Sequence, residues 1–129
     1  MKVSKTAIDG VFIIEPQVFE DARGYFFESW NKAKLKEQGI DYDFIQDNQS
    51  KSCFGTIRGI HFQKGEFAQA KLVRVLEGTV LDVAVDLRPG SSTFGRHVAV
   101  ELSAENKKQL MIPRGFGHGF SVLTPSAVF

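Results

Sequence analysis

The sequence predicts an all-β fold, a sandwich or closed barrel, and three observations carry that prediction. Phe and Gly each occur twelve times among the 129 residues, and with frequent Val and Ile they favour short strands joined by tight turns. Short apolar or alternating runs recur along the chain at the spacing of sandwiches and barrels. Only one segment has the periodicity and end signals of a helix. Hydrophobic residues make up 43% and charged residues 24%, a globular composition. The length supports one domain over residues 1–129, with no internal repeat, linker or low-complexity segment to divide it.

In chain order, strands are expected over residues 11–14 and 25–28. A short peripheral helix then follows Ser29 or Asn31 as N-cap, runs through KAKLKEQ and stops at Gly39, where a left-handed residue suits a helix end. Further strands are expected at 44–48, 56–63, 72–76, 79–87, 97–102, 109–112 and 120–123. Glu77-Gly78, an acidic-Gly pair between two apolar runs, reads as a tight hairpin turn. In the strand after it, Leu81, Val83, Val85 and Leu87 share one face and Asp82, Ala84 and Asp86 the other. The apolar face is expected to pack and the acidic one to be polar.

Charge and cysteine content exclude several classes of function. The formal net charge is +1 and no Lys/Arg run exceeds a pair, so the footprint of a nucleic-acid binder is missing and any bound anion should be small. No apolar stretch approaches a membrane span, and MKVSKTAIDG lacks the apolar core of a secretion signal. A cytoplasmic protein with no membrane partner is expected. The lone Cys53 allows neither an internal disulfide nor a cysteine zinc site and reads as a space-filling residue.

Ionisable groups on the inward face of a strand are costly to desolvate, so their clustering marks candidate sites. In TIRGIHFQ, His61 and Gln63 share a face by the two-residue period, and Arg58 points away in an ideal strand. A bulge at Gly59 would bring Arg58 round to join them. A His in a strand is ordinarily a hydrogen-bonded structural residue, but the neighbours of His61 argue for more. Lys71 opens an otherwise apolar strand, and Gln46 and Asn48 project to one face of FIQDNQS. Two amides, a cation and an imidazole suit a polar, anionic ligand. A solvated strand end remains the plain alternative for Lys71.

Pro113, Gly115 and His118 in IPRGFGHGF have the P-x-G-x-x-H spacing of the second cupin motif, where the turn delivers the His to a barrel mouth. Metal-binding cupins add H-x-H and a Glu, but here the first motif reads His61-Phe62-Gln63, and Glu66 falls early. A neutral amide is a poor transition-metal ligand, so no metal is expected. A metal-dependent cupin oxygenase is the weakest reading.

Taken together, EDARGYFFES, FIQDNQS, GTIRGIHFQ, AQAKLVRVLEGTVLDVAVDLRPGSSTFG and QLMIPRGFGHGF resemble the dTDP-4-dehydrorhamnose 3,5-epimerase family, from about Gly10 onward. The resemblance implies a cupin-type jelly roll, a double-stranded β-helix barrel, assembled as a homodimer with exchanged strands and using no cofactor. It implies dTDP-4-keto-6-deoxy-glucose as substrate and L-rhamnose synthesis for surface polysaccharide as the destination. By matching motif, His61 becomes the base and Lys71 the cation beside the C4 oxygen. Arg23 and Glu28 become nucleotide contacts made across the dimer, and Gln46, Asn48, Arg58, Gln63 and His118 complete the substrate pocket.

The chemistry fits those residue types. A proton beside a ketone is acidic enough for a neutral imidazole if a positive charge meets the enolate oxygen in a dry site. Inversion needs a second acid on the opposite face. The resemblance places that acid, a Tyr, and an Asp that orients the base beyond Phe129. The leading expectation is the epimerase; the alternative is a nucleotide-sugar binding core that holds dTDP without moving substrate protons.

Overall fold

The computed structural model describes residues 1–129 and contains twelve strands. In order they are β1 (Lys2–Lys5), β2 (Phe12–Glu15), β3 (Val18–Asp21), β4 (Gly24–Phe27), β5 (Lys51–Cys53), β6 (Ile57–His61), β7 (Lys71–Arg74), β8 (Thr79–Asp86), β9 (His97–Ser103), β10 (Gln109–Ile112), β11 (Phe116–Val122) and β12 (Ser126–Val128), with helix α1 (Lys32–Glu37) between β4 and β5. One four-stranded sheet runs β1-β2-β10-β7 and another β6-β11-β8-β9, with β12-β5 and β3-β4 as separate pairs. Non-consecutive neighbours within two packed antiparallel sheets make the expected cupin-type jelly roll.

Alternation along the strands explains where the core sits. Leu110 and Ile112 of β10 meet Val80 and Ala84 of β8, Leu102 of β9, and Phe116, Phe120 and Val122 of β11 in the main cluster between the sheets. The intervening residues of the first sheet, Ile14 and Met111, point the other way and are covered by Leu35 of α1 and by Ile40. That sheet is therefore buried on both faces, which is why all four residues of β10 are buried. The helix begins where the sequence indicates: the Asn31 side chain accepts from the Lys34 N–H, and Gly39 follows with φ +85°.

Four expectations need correction. Residues 44–48 form no strand; Phe44 packs against the Leu35 and Ile40 cluster without entering a ladder. Glu77-Gly78 is not a hairpin turn, because β7 pairs with β10 whereas β8 pairs with β9 and β11, so these residues carry the chain between sheets. A Cβ on Gly78 would lie 2.1 Å from the Ser126 carbonyl oxygen, so glycine there admits β12 rather than a turn. Third, the faces of β8 are inverted. Val80, Asp82, Ala84 and Asp86 are buried, and Leu81 is exposed. The two-residue period was right, but two acids with side-chain partners can occupy an interior, and bulky side chains do not identify it. Finally, β6 stops at His61, which leaves Gln63 outside the strand and without the shared face expected for it. Strands β1, β3, β5 and β12, each three or four residues long, were not anticipated.

Candidate functional site

The site is organised by an irregularity in the ladder between β6 and β11. His61 is opposite His118 and Arg58 is opposite Phe120, so Gly59 and Ile60 together face the single residue Gly119. This is the bulge anticipated at Gly59. Because His118 and Phe120 are two apart and share a face, their partners His61 and Arg58 share it too. The bulge depends on two glycines in close contact. A Cβ on Gly59 would come within 2.6 Å of the Gly119 Cα and 2.8 Å of the His118 carbonyl oxygen. One on Gly119 would come within 2.7 Å of the Arg58 carbonyl oxygen. Gly59 also has φ +121°, a conformation side chains disfavour. The Arg58 Nε donates to Ser52 Oγ at 2.9 Å, which ties its guanidinium to β5.

The neighbouring strand extends this inner face. β8 places Ala84 opposite His118 and Asp82 opposite Phe120. The fully buried Asp82 carboxylate lies diagonally from His118, with Nε2 2.9 and 3.0 Å from its two oxygens. Burial pushes the Asp82 carboxyl up, and the His118 hydrogen bond opposes that rise in part. Lys71, half-buried at the start of β7, has its ammonium disfavoured by burial and supported by the Asp82 charge. Phe129 stacks on the His118 ring at 6.0 Å between centroids and on Phe120 at 4.3 Å. No three His, Cys, Asp or Glu side chains converge in a way that could hold a metal ion.

Of the sequence-predicted residues, the β6-β11 ladder sets His61, Arg58 and His118 on one face, with His118 buried but His61 and Arg58 exposed, contrary to the inward placement expected of them, because β6 is the edge strand of its sheet. Lys71 approaches from β7 of the other sheet, half-buried and within electrostatic reach of Asp82. Arg23 stands apart, in the turn of the β3-β4 hairpin, paired with Asp21 at 2.7 Å and exposed. Glu28 accepts from Lys34 Nζ at 2.8 Å and Asn31 Nδ2 at 3.2 Å, and the Lys34 hydrogen bond, then Asn31's, hold its carboxyl below the usual range. Gln46 donates to Asn48 at 3.1 Å, so the two do share a side, on an exposed segment. Gln63 is exposed. Sequence reasoning missed Asp82 and Ser52. Asp82 was visible in the alternation Asp82, Ala84, Asp86, where the small Ala84 between two acids signals a crowded inner face. Nothing local marks Ser52, whose role depends on β5 meeting the end of β6.

The sequence profile of the family described as dTDP-4-dehydrorhamnose 3,5-epimerase matches residues 5–129. An enzyme of that description from Salmonella typhimurium is 57% identical over an alignment of 130 positions that takes in 100% of this chain and 71% of the relative. The crystal structure of the Elizabethkingia anophelis dTDP-4-dehydrorhamnose 3,5-epimerase superposes with a TM-score of 0.94 at 58% identity, covering 99% of this chain and 70% of that one. The dTDP-6-deoxy-D-glucose-3,5-epimerase of Legionella pneumophila, solved in complex with dTDP-4-keto-L-rhamnose, gives a TM-score of 0.94 at 50% identity, covering 98% of this chain and 68% of that one. No helix is long and apolar enough to cross a membrane.

Proposed function

The chain belongs to the dTDP-4-dehydrorhamnose 3,5-epimerase family, and from that premise we propose that it epimerises dTDP-4-keto-6-deoxy-glucose at C3 and C5 on the way to dTDP-L-rhamnose. The observation that carries this reading is the Gly59 bulge, which turns Arg58 and His61 to the face that holds His118 and Asp82. His61 is the base that removes the proton beside the ketone, and return of a proton on the opposite face, which completes each inversion, falls to the Tyr acid that the family resemblance places beyond Phe129. Lys71 meets the charge that develops on the C4 oxygen, and a half-buried ammonium does so more strongly than one in water. Arg58 supplies a fixed donor for the anionic part of the ligand. Proton transfer next to a ketone needs no metal or redox group, so no cofactor is required.

His118, Gln46, Asn48 and Gln63 complete the substrate contacts in this reading. Arg23 and Glu28 reach the nucleotide of a partner subunit, since the β3-β4 hairpin that carries Arg23 is a sheet of its own and exposes Phe19 and Phe26. The working unit is thus a homodimer acting in the cytoplasm, each subunit providing one cupin-like domain over residues 1–129.

Proton NMR in deuterated buffer with dTDP-4-keto-6-deoxy-glucose tests the proposal. The chain is expected to exchange the C3 and C5 protons, and His61→Ala to lose that exchange while binding dTDP nearly as well. Exchange retained in His61→Ala removes the base from its role. Saturable dTDP binding with no exchange in the unsubstituted chain overturns the epimerase reading in favour of a binding core.

A further inference from the structure

Asp82 is a buried carboxylate with too few partners. Its side chain is fully buried, and its only hydrogen bonds are those to His118 Nε2. An ionised carboxylate has about four acceptor sites, so one imidazole leaves most of its capacity unused. The other charged or titratable groups facing it are Lys71 on β7 and, through the ladder, Arg58 and His61 on β6; β9 presents only Val100 opposite it. A solitary buried acid between an imidazole and an ammonium is poorly placed for stability and well placed to orient the first and support the charge of the second.

We propose that Asp82 is a positioning residue for the reaction: its buried carboxylate fixes which His118 nitrogen carries the proton and presents its negative charge to the Lys71 ammonium. This rests on the epimerase reading above. With Nε2–H donated to Asp82, the His118 Nδ1 is the nitrogen left for substrate or water. The Asp82 charge favours protonated Lys71 against burial, which works the other way. A neutral group at position 82 therefore makes Lys71 release its proton at lower pH.

Asp82→Asn separates the two roles, because an amide oxygen still accepts from His118 Nε2–H but carries no charge. Asp82→Ser gives a second neutral variant should the first not fold. The Lys71 side chain, labelled with 13C at Cε, is titrated by NMR in the unsubstituted chain and in each folded variant, and kcat is followed against pH. Lys71 is expected to titrate at lower pH in the neutral variants. The alkaline limb of kcat should move down with it, with kcat falling by up to about 100-fold on that side and recovering on acidification, while KM and the acid limb stay in place. An unchanged Lys71 titration in a folded neutral variant overturns the proposal whatever the activity. Absent turnover in the unsubstituted chain counts against the epimerase reading instead, and the Lys71 titration still decides the role of Asp82.

Discussion

Adding one methyl group at Gly119 should damage both the barrel and the site, whereas the same change two residues earlier should be milder. The ideal Cβ of Gly119 meets backbone on the neighbouring strand: the Arg58 carbonyl oxygen at 2.7 Å and the Gly59 Cα at 3.1 Å. Neither atom can move without shifting β6. At Gly117 the closest atoms are a methyl of Ile60 at 2.7 Å and one of Leu87 at 3.2 Å, side-chain ends that can rotate aside. Overpacking costs about 1–3 kcal/mol; Gly119→Ala belongs at the top of that range and Gly117→Ala at or below its bottom. For a domain of this size each kcal/mol moves Tm by roughly 3–6 °C, so thermal unfolding resolves the two. Urea unfolding gives the same difference from the midpoint if the slope is unchanged. Because Arg58 and His61 flank the bulge, Gly119→Ala should also weaken dTDP binding and slow proton exchange in the molecules that stay folded. Equal destabilisation by the two substitutions would refute the argument that strand backbones meet at the bulge.

Arg58→Ala should weaken dTDP binding by about 1.5–3 kcal/mol, the worth of a lost charge-assisted hydrogen bond, which isothermal titration reads as a rise in Kd of roughly 10- to 150-fold; unchanged affinity would place Arg58 outside the site. Asp86→Asn should lower Tm at neutral pH, with the deficit shrinking on acidification. The Arg88 hydrogen bonds, then those of Ser91 and Thr93, hold the Asp86 carboxyl well below its ordinary range. A depressed folded value gives stability that is fully present above the unfolded value near about 3.9 and is lost as pH falls through the folded one. A deficit constant from neutral pH to strong acid would contradict this linkage. Asp82→Asn should instead leave neutral-pH Tm unchanged or higher, since burial raises that carboxyl and the folded state loses stability as pH rises through its raised value; a clear fall in Tm would make Asp82 a structural residue.

How much was legible in the sequence depended on the range of the interaction. The helix was readable because Asn31 and Gly39 act within one turn of it. The run 109–112 is legible because Leu110, Met111 and Ile112 form an unbroken apolar stretch, as a strand buried on both faces requires, with Gln109 at its start satisfied by the Ser29 carbonyl. Short strands such as β5 and β12 carry no period of their own and exist because each supplies the other's ladder. Glu77-Gly78 failed as a hairpin for a related reason: turn chemistry specifies a local reversal, not which sheet the next strand joins. In the site, Gly59 announced a bulge because a glycine in a strand has few other uses. The residue that completes it, Gly119, lies just past the P-x-G-x-x-H motif and has no local signal, since its necessity comes from the backbone across the ladder.

The two acids of β8 show why burial alone does not separate framework from function. Asp82 and Asp86 lie on the same face of the same strand, four residues apart, and both are fully buried. Asp86 accepts from the Arg88 backbone N–H at 3.0 Å, from Arg88 Nε and Nη2 at 3.0 and 2.9 Å, and from the Ser91 and Thr93 hydroxyls at 2.6 and 2.5 Å. Those donors all come from the loop that follows the strand, so the carboxylate organises its own surroundings and is held ionised by them. Asp82 gathers no loop. Its one partner is an imidazole on the adjacent strand, and the cation that supports its charge, Lys71, lies on the opposite sheet. A carboxylate saturated by donors has no capacity left for another molecule, whereas an unsaturated one keeps acceptor sites free and supports the nearby Lys71 ammonium by its charge. On that ground the proposed catalytic groups lie at the Asp82 end of the strand and the scaffold at the Asp86 end, a division drawn by the partners of each acid and not by its depth.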